Sequence, residues 1–294
     1  MRLLRVVALL ACTAAAFDAA PPVLTLSPRD AALLRIVVVG DTGKGAGAVA
    51  QGIERVRKKT PFDAIILTGD NFYPCGVSSP ADPRWSINAP LTHLGIPIFP
   101  VLGNHDFCGK ADPDAQIRAT EVLPNWRFPA REYALHSPLA DFAFVDTTPL
   151  AHGKKNDAAA VIREALSGSR APWQIVVGHH PVISSGFHGY FPRDEVAKMR
   201  TLVPALREVD ADLYLCGHDH HLELLRGRMV HLVSGAGSDP IPPVKLRTST
   251  LFPDHIGPER IGFAVVELTA KEMRVRMYGA DGVARSEWLR AARR

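Results

Sequence analysis

The chain lacks several things, and each shortage excludes a class of protein. Beyond its first residues it has no apolar run long and unbroken enough to cross a hydrocarbon core of about 30 Å as a helix, so no stable membrane span is expected. It has no basic block interleaved with aromatics. Its formal net charge of +4 comes from scattered Arg and Lys, so dedicated nucleic-acid binding is not expected. A hydrophobic share of 47% against 22% charged residues is that of an ordinary globular protein, which argues against a disordered or fibrous chain. No Ser/Gly-rich linker and no internal repeat divides the sequence, so residues 33–294 read as one domain.

The N-terminus is different. Met1-Arg2 and Arg5 precede the apolar run Val6 to Ala11, and Ala14-Ala15-Ala16 matches a signal-peptidase site. Residues 1–16 therefore read as a signal peptide, with a secreted or periplasmic destination. Leu9-Leu10-Ala11-Cys12 loosely matches a lipobox, which makes a lipid anchor at Cys12 the alternative. Of the four cysteines, Cys216 ends the apolar run Leu213-Tyr214-Leu215 and reads as a buried thiol. Cys75 and Cys108 each follow a candidate metal-binding loop; a disulfide and two free thiols both remain open.

Short β-branched or apolar runs punctuate the chain, and most end in Gly followed by a metal-binding type of residue. Ile36-Val37-Val38-Val39 leads to Gly40-Asp41, and Ala64-Ile65-Ile66-Leu67 to Gly69-Asp70. Pro97 to Leu102 leads to Gly103-Asn104-His105-Asp106, Trp173 to Val177 to Gly178-His179, and Asp212 to Cys216 to Gly217-His218. Continuous runs of this length suit strands buried on both faces, and sites in α/β proteins form at strand carboxyl ends. Helical stretches such as Ala48 to Lys59 alternate with them. The last part, from Met229 to Val233 and then Phe263 to Leu268, Met273 to Tyr278 and Ser286 to Leu289, reads as an antiparallel meander forming a second sheet.

Singly, these polar residues could be turn formers or helix caps. Together they form a donor set. Gly217-His218-Asp219-His220 carries two imidazoles, while Asp70 and Tyr73 offer carboxylate and phenol oxygens in one loop. Hard oxygen donors suit Fe(III); imidazole and amide oxygen suit divalent ions.

The ordered motifs Asp41-Thr42-Gly43, Gly69-Asp70-Asn71-Phe72-Tyr73, Gly103-Asn104-His105-Asp106, Val176-Val177-Gly178-His179 and Gly217-His218-Asp219-His220 resemble the purple acid phosphatases, within the calcineurin-like metallophosphoesterases. The likeness runs from about residue 35 to 280 and is nearest to the small, tartrate-resistant type. It implies an α/β fold of two packed mixed β-sheets flanked by helices, in four layers. It also implies a dinuclear acid phosphatase acting on phosphate monoesters by attack of a metal-bound hydroxide. Asp41, Tyr73 and His220 would hold Fe(III); Asn104, His179 and His218 would hold Fe(II), Zn(II) or Mn(II); Asp70 would bridge. Most metallophosphoesterases have Asp-x-His in the first motif. Here Gly43 stands in its third position, and Tyr73 is the replacement ligand of the purple type.

The leaving group needs a proton, and His105, next to Asn104, is the expected donor, with the adjacent Asp106 as its orienting acceptor; His188, in Phe187-His188-Gly189, resembles the family's other substrate-facing histidine. The family's longer, protease-sensitive loop is shortened after Asp146-Thr147-Thr148. Expected substrates are small phosphate esters, phosphoproteins or nucleotides. The competing readings are a phosphodiesterase or nucleotide pyrophosphatase on the same metals, and a non-catalytic metal- or phosphate-binding protein.

Overall fold

The computed structural model describes residues 20–191, 193–252 and 260–293. The expected signal peptide and the Cys12 anchor alternative lie outside the described residues. The strands in chain order are β1 (Val23–Thr25), β2 (Leu34–Val39), β3 (Ala64–Leu67), β4 (Ile98–Pro100), β5 (Tyr133–His136), β6 (Ala140–Phe144) and β7 (Trp173–Val177). They continue as β8 (Leu213–Cys216), β9 (Leu222–Leu225), β10 (Val230–Ser234), β11 (Thr250–Phe252), β12 (Gly262–Leu268), β13 (Glu272–Gly279) and β14 (Ala284–Ala291). One sheet has eight strands in the order β1-β5-β6-β7-β8-β10-β9-β11, and the other six in the order β14-β13-β12-β2-β3-β4. Val23–Thr25, ahead of the expected domain start at residue 33, already pairs in parallel with β5.

The apolar runs explain the layering. Along β6 to β8 the side chains alternate between two cores. Phe142, Phe144, Ile175, Val177, Leu213 and Leu215 face the other sheet. Ala143, Val145, Val176, Tyr214 and Cys216 face helices Ala158–Leu166 and Val203–Glu208. A strand with apolar groups on both faces needs a cover on each, which yields sheet on sheet with helices outside. Helix Gly47–Arg57 covers β12 and β13 on the far side.

The late strands do form a meander, but not a sheet of their own. β12 hydrogen-bonds antiparallel to β2, pairing Val265 with Val37, so β12 to β14 extend the sheet begun by β2 to β4. β10 leaves the meander and runs parallel to β8 in the other sheet. The physical reason is the free edge of β2, whose unpaired backbone groups β12 satisfies.

Away from the sheet junction, Glu132 is pushed up to about 7 by burial and by the neighbouring Asp146 and Asp157 carboxylates; burial pushes Asp146 up to about 6. A carboxyl raised in the folded state is neutral in both states below the unfolded value. It then costs stability progressively as pH climbs from the unfolded value of about 4.5 to the folded one near 7. Glu132→Gln is therefore expected to raise Tm at pH 8 by roughly 1–3 °C, a small shift because the side chain is only half-buried, and to leave it unchanged at pH 4. Scanning calorimetry at both pH values checks this; an equal shift at both would refute it.

Candidate metal centre

β2, β3 and β4 run parallel in one sheet, as do β7 and β8 in the other, and all five end at the same rim. There the sheets are stitched together: Gly40 N donates to Ser234 O (2.7 Å) and Ser234 Oγ to Val38 O (2.8 Å). The chain turns sharply as it leaves these strands. Asp41 (φ 56), Asp70 (φ 53) and His218 (φ 66) are three of the five non-glycine residues with left-handed backbone among the described residues. Such conformations cost roughly 1–3 kcal/mol each and persist where surrounding structure imposes them, commonly at functional sites.

The side chains so delivered converge in two groups that share Asp70. In the first, Tyr73 Oη lies 2.9 Å from Asp70 Oδ2, 3.1 Å from Asp41 Oδ1 and 3.0 Å from His220 Nε2. In the second, His179 Nε2 lies 3.1 Å from Asn104 Oδ1, 3.1 Å from His218 Nδ1 and 3.4 Å from Asp70 Oδ1. Asp70 thus presents one carboxylate oxygen to each group.

Gly43 is required by this packing: a Cβ there would stand 2.5 Å from Tyr73 N and 2.7 Å from Tyr73 Cδ2. The tyrosine loop occupies the space that a larger third residue of the first motif would need. Likewise a Cβ at Gly103 would stand 2.1 Å from Asp70 Oδ1.

The imidazole tautomers follow from their outer partners. His179 Nδ1 donates to Thr68 O (2.7 Å) and His220 Nδ1 to Asp239 O (2.7 Å), which turns both Nε2 atoms inward. Lone pairs on nitrogen therefore face carboxylate, amide and phenol oxygens. Protons satisfy such a cluster only in part. Burial opposes charge on His179, yet Asp70 lifts it to about 10; burial opposes charge on His220, yet Asp41 lifts it to about 9. Burial and the two carboxylates hold the Tyr73 phenol far above its ordinary value. Two carboxylates, a phenol, an amide oxygen and three imidazoles aimed at one another fit a pair of cations, which would remove this conflict and favour the phenolate. Ligand atoms of Asp41, Asp70 and His179 all lie within 4.8 Å of one another, as do those of His179, His180 and His218.

The second-row residues differ from expectation in one respect. Asp106 does not orient His105. It is fully buried and accepts from Gly103 N (2.9 Å), Asn71 N (3.2 Å) and Gln116 Nε2 (2.8 Å), because the short turn Asn104–Phe107 folds its carboxylate back onto its own loop. Burial, with the nearby Asp70 charge, pushes it up to about 7. His105 is instead held by Pro74 O, to which its Nδ1 donates (2.7 Å), and its ring packs edge-on to Tyr73. The Cys75–Cys108 disulfide joins these same two loops; Cys216 is a buried free thiol.

His188 reaches the site. Its ring lies 3.9 Å from that of His218, centroid to centroid, and Asp219 anchors its backbone by accepting from His188 N (2.8 Å) and Gly189 N (3.0 Å). Glu195, on helix Arg193–Met199, carries no motif and was not legible in the sequence. Its Oε1 stands 2.8 Å from His218 Nε2, and its Oε2 3.8 Å from His188 Nδ1. Burial opposes charge on Glu195, but the two histidines hold it down at about 2.

The family model for calcineurin-like phosphoesterases matches residues 34–222. Purple acid phosphatase 17 of Arabidopsis thaliana is 30% identical over 288 residues, spanning 86% of this chain and 83% of that protein. Tartrate-resistant acid phosphatase type 5 of Homo sapiens is 30% identical over 297 residues, spanning 85% and 88%. Among solved structures, GAP50, described as the anchor in the inner membrane complex of Plasmodium, is similar with a TM-score of 0.74 at 25% identity, over 90% of each chain.

Proposed function

The chain belongs to the purple acid phosphatases of the calcineurin-like metallophosphoesterase family, and from that premise we propose that it hydrolyses phosphate monoesters on a dinuclear metal site. The observation that carries this reading is Asp70, with one oxygen turned to each donor group. Asp41, Tyr73 and His220 would hold one ion, expected to be Fe(III), and Asn104, His179 and His218 the other, expected to be Fe(II), Zn(II) or Mn(II), with Asp70 shared. What the cations would supply is Lewis acidity toward water and toward phosphoryl oxygens.

The chain's own residues do the rest. Thr68 O and Asp239 O fix the rings of His179 and His220, and Glu195 stands behind His218 on the side away from His179. His105 has its Nδ1 committed to Pro74 O, so Nε2 is the nitrogen free to deliver a proton to the leaving alkoxide. His188, beside His218, approaches the ester from the other side. Water is the nucleophile in this scheme, so no covalent enzyme intermediate is required. The Cys75–Cys108 disulfide supports an oxidising, extracytoplasmic location.

Gly43 with Tyr73 favours a monoesterase over a phosphodiesterase built on Asp-x-His. The likeness to an anchor protein keeps a non-catalytic role as the second reading. Release of para-nitrophenol from its phosphate monoester, in preference to the bis-ester, by iron- and zinc-loaded protein supports the proposal; no turnover of either ester would leave the anchor-like reading. A visible phenolate-to-iron band, absent in Tyr73→Phe, is the expected signature of the first ion. A colourless, iron-free and fully active enzyme would refute that metal assignment.

A further inference from the structure

Nine large hydrophobic side chains are exposed among the described residues, and five of them fall in two short segments beside the donor cluster. Phe187 opens helix Phe187–Tyr190 and Phe191 directly follows it, and Ile241, Val244 and Leu246 lie on the loop that follows Asp239. Each is between 46% and 53% exposed.

The two segments are tied to each other and to the site. Val244 N donates to Ser185 O (2.9 Å), Tyr190 Oη to Lys245 O (2.9 Å) and Arg247 Nη2 to Gly189 O (2.7 Å). Ile241 N donates to the carbonyl of His220 (2.7 Å), and the Phe187 ring lies 5.3 Å from that of His188, which in turn packs on His218. The apolar side chains are therefore held in place by backbone anchors rather than scattered over a loose loop. Their cost in water is recovered when an apolar group covers them.

We propose that this apolar rim receives the alcohol portion of the substrate, and that the preferred monoesters are those of amphiphilic alcohols, with an alkyl or aryl group of several carbons. The inference rests on the phosphatase reading above. A phosphoryl group held between the two donor groups would have its ester oxygen on the side of His105 or His188, and the described segments that adjoin His188 and His220 are the ones that carry this rim. The small polar alcohols of sugar or glycerol phosphates would leave it wet. A second copy of the chain or a lipid surface are the rival occupants.

The test is a series of n-alkyl phosphates, from ethyl to octyl, kept below micelle-forming concentrations, with phosphate release measured on metal-loaded protein. In the wild type kcat/KM is expected to rise roughly twofold per methylene, the share one-sided burial would give. The double variants Phe187→Ser/Ile241→Ser and Phe191→Ser/Val244→Ser should flatten the series to within about threefold while ethyl phosphate turnover stays unchanged. A flat series in the wild type overturns the proposal, as does a slope that survives both variants. So does a wild-type dimer that the variants dissolve without any change of slope, or a slope seen only when phosphatidylcholine vesicles are present. If the wild type hydrolyses neither ethyl phosphate nor para-nitrophenyl phosphate, the phosphatase reading itself fails, which is a separate outcome.

Discussion

Asp70→Asn is expected to lower kcat/KM for any phosphate monoester by about 10³-fold or more and to reduce the metal content of the purified protein from two ions toward one or none. The carboxylate is almost fully buried, with Oδ2 against Tyr73 and Oδ1 against His179 and the His105 backbone N–H (2.9 Å). Burial opposes its charge, but His179 and its neighbours hold it far below the usual carboxylate range, so the site is built around an anion there. Asparagine keeps the shape but supplies neither the charge nor a second acceptor oxygen. Removing one partner of a buried ionic site costs about 3–5 kcal/mol, which corresponds to the stated loss when expressed in the transition state. Metal analysis and steady-state kinetics on the same preparation check this. A variant that retained both ions and activity within tenfold would remove Asp70 from its shared position.

His105→Ala is expected to act differently: kcat falls by about 10²- to 10⁴-fold with alkyl phosphates, while metal content and the visible band are retained. His105 belongs to neither donor group; its Nδ1 is committed to Pro74 O and its ring packs on Tyr73. On the proposed mechanism its loss would withhold a proton from the leaving oxygen. The deficit should therefore shrink markedly with para-nitrophenyl phosphate, whose phenolate leaves without one. An equal deficit for both substrates would deny His105 the acid role, and loss of metal would make it structural.

How far these residues were legible beforehand depended on what kind of fact was asked for. Asp41, Asp70, His179 and His218 each follow a buried apolar run, so the rim where donors gather could be read from pattern, whereas the four-layer arrangement was implied by the family resemblance and the late strands, read from pattern as a sheet of their own, join β2 instead. Gly43 and Tyr73 could be paired as a substitution because the motif order was intact, and the clash that a side chain at Gly43 would make with Tyr73 gives that pairing a steric reason.

Asp106 shows the opposite case. Adjacency to His105 suggested a partnership, yet the turn Asn104–Phe107 points the two side chains apart, one onto backbone N–H groups and the other onto Pro74 O. Glu195 had no signal at all: an acid in a helix segment normally faces water, and only packing brings it against His218. The Cys75–Cys108 bond was one of two open choices until the loops were seen side by side.

The amino-acid order by itself determined which donor atoms exist, on which strand ends they sit and that the strands must be enclosed between layers, because those properties reside in single residues and in short-range periodicity. Only the tertiary structure decided which donor faces which, that β12 joins β2, that Glu195 backs His218 and that an apolar rim adjoins the site. Contacts between residues far apart in the chain are chosen by packing and hydrogen-bond satisfaction across the whole fold, and no local stretch of sequence encodes them.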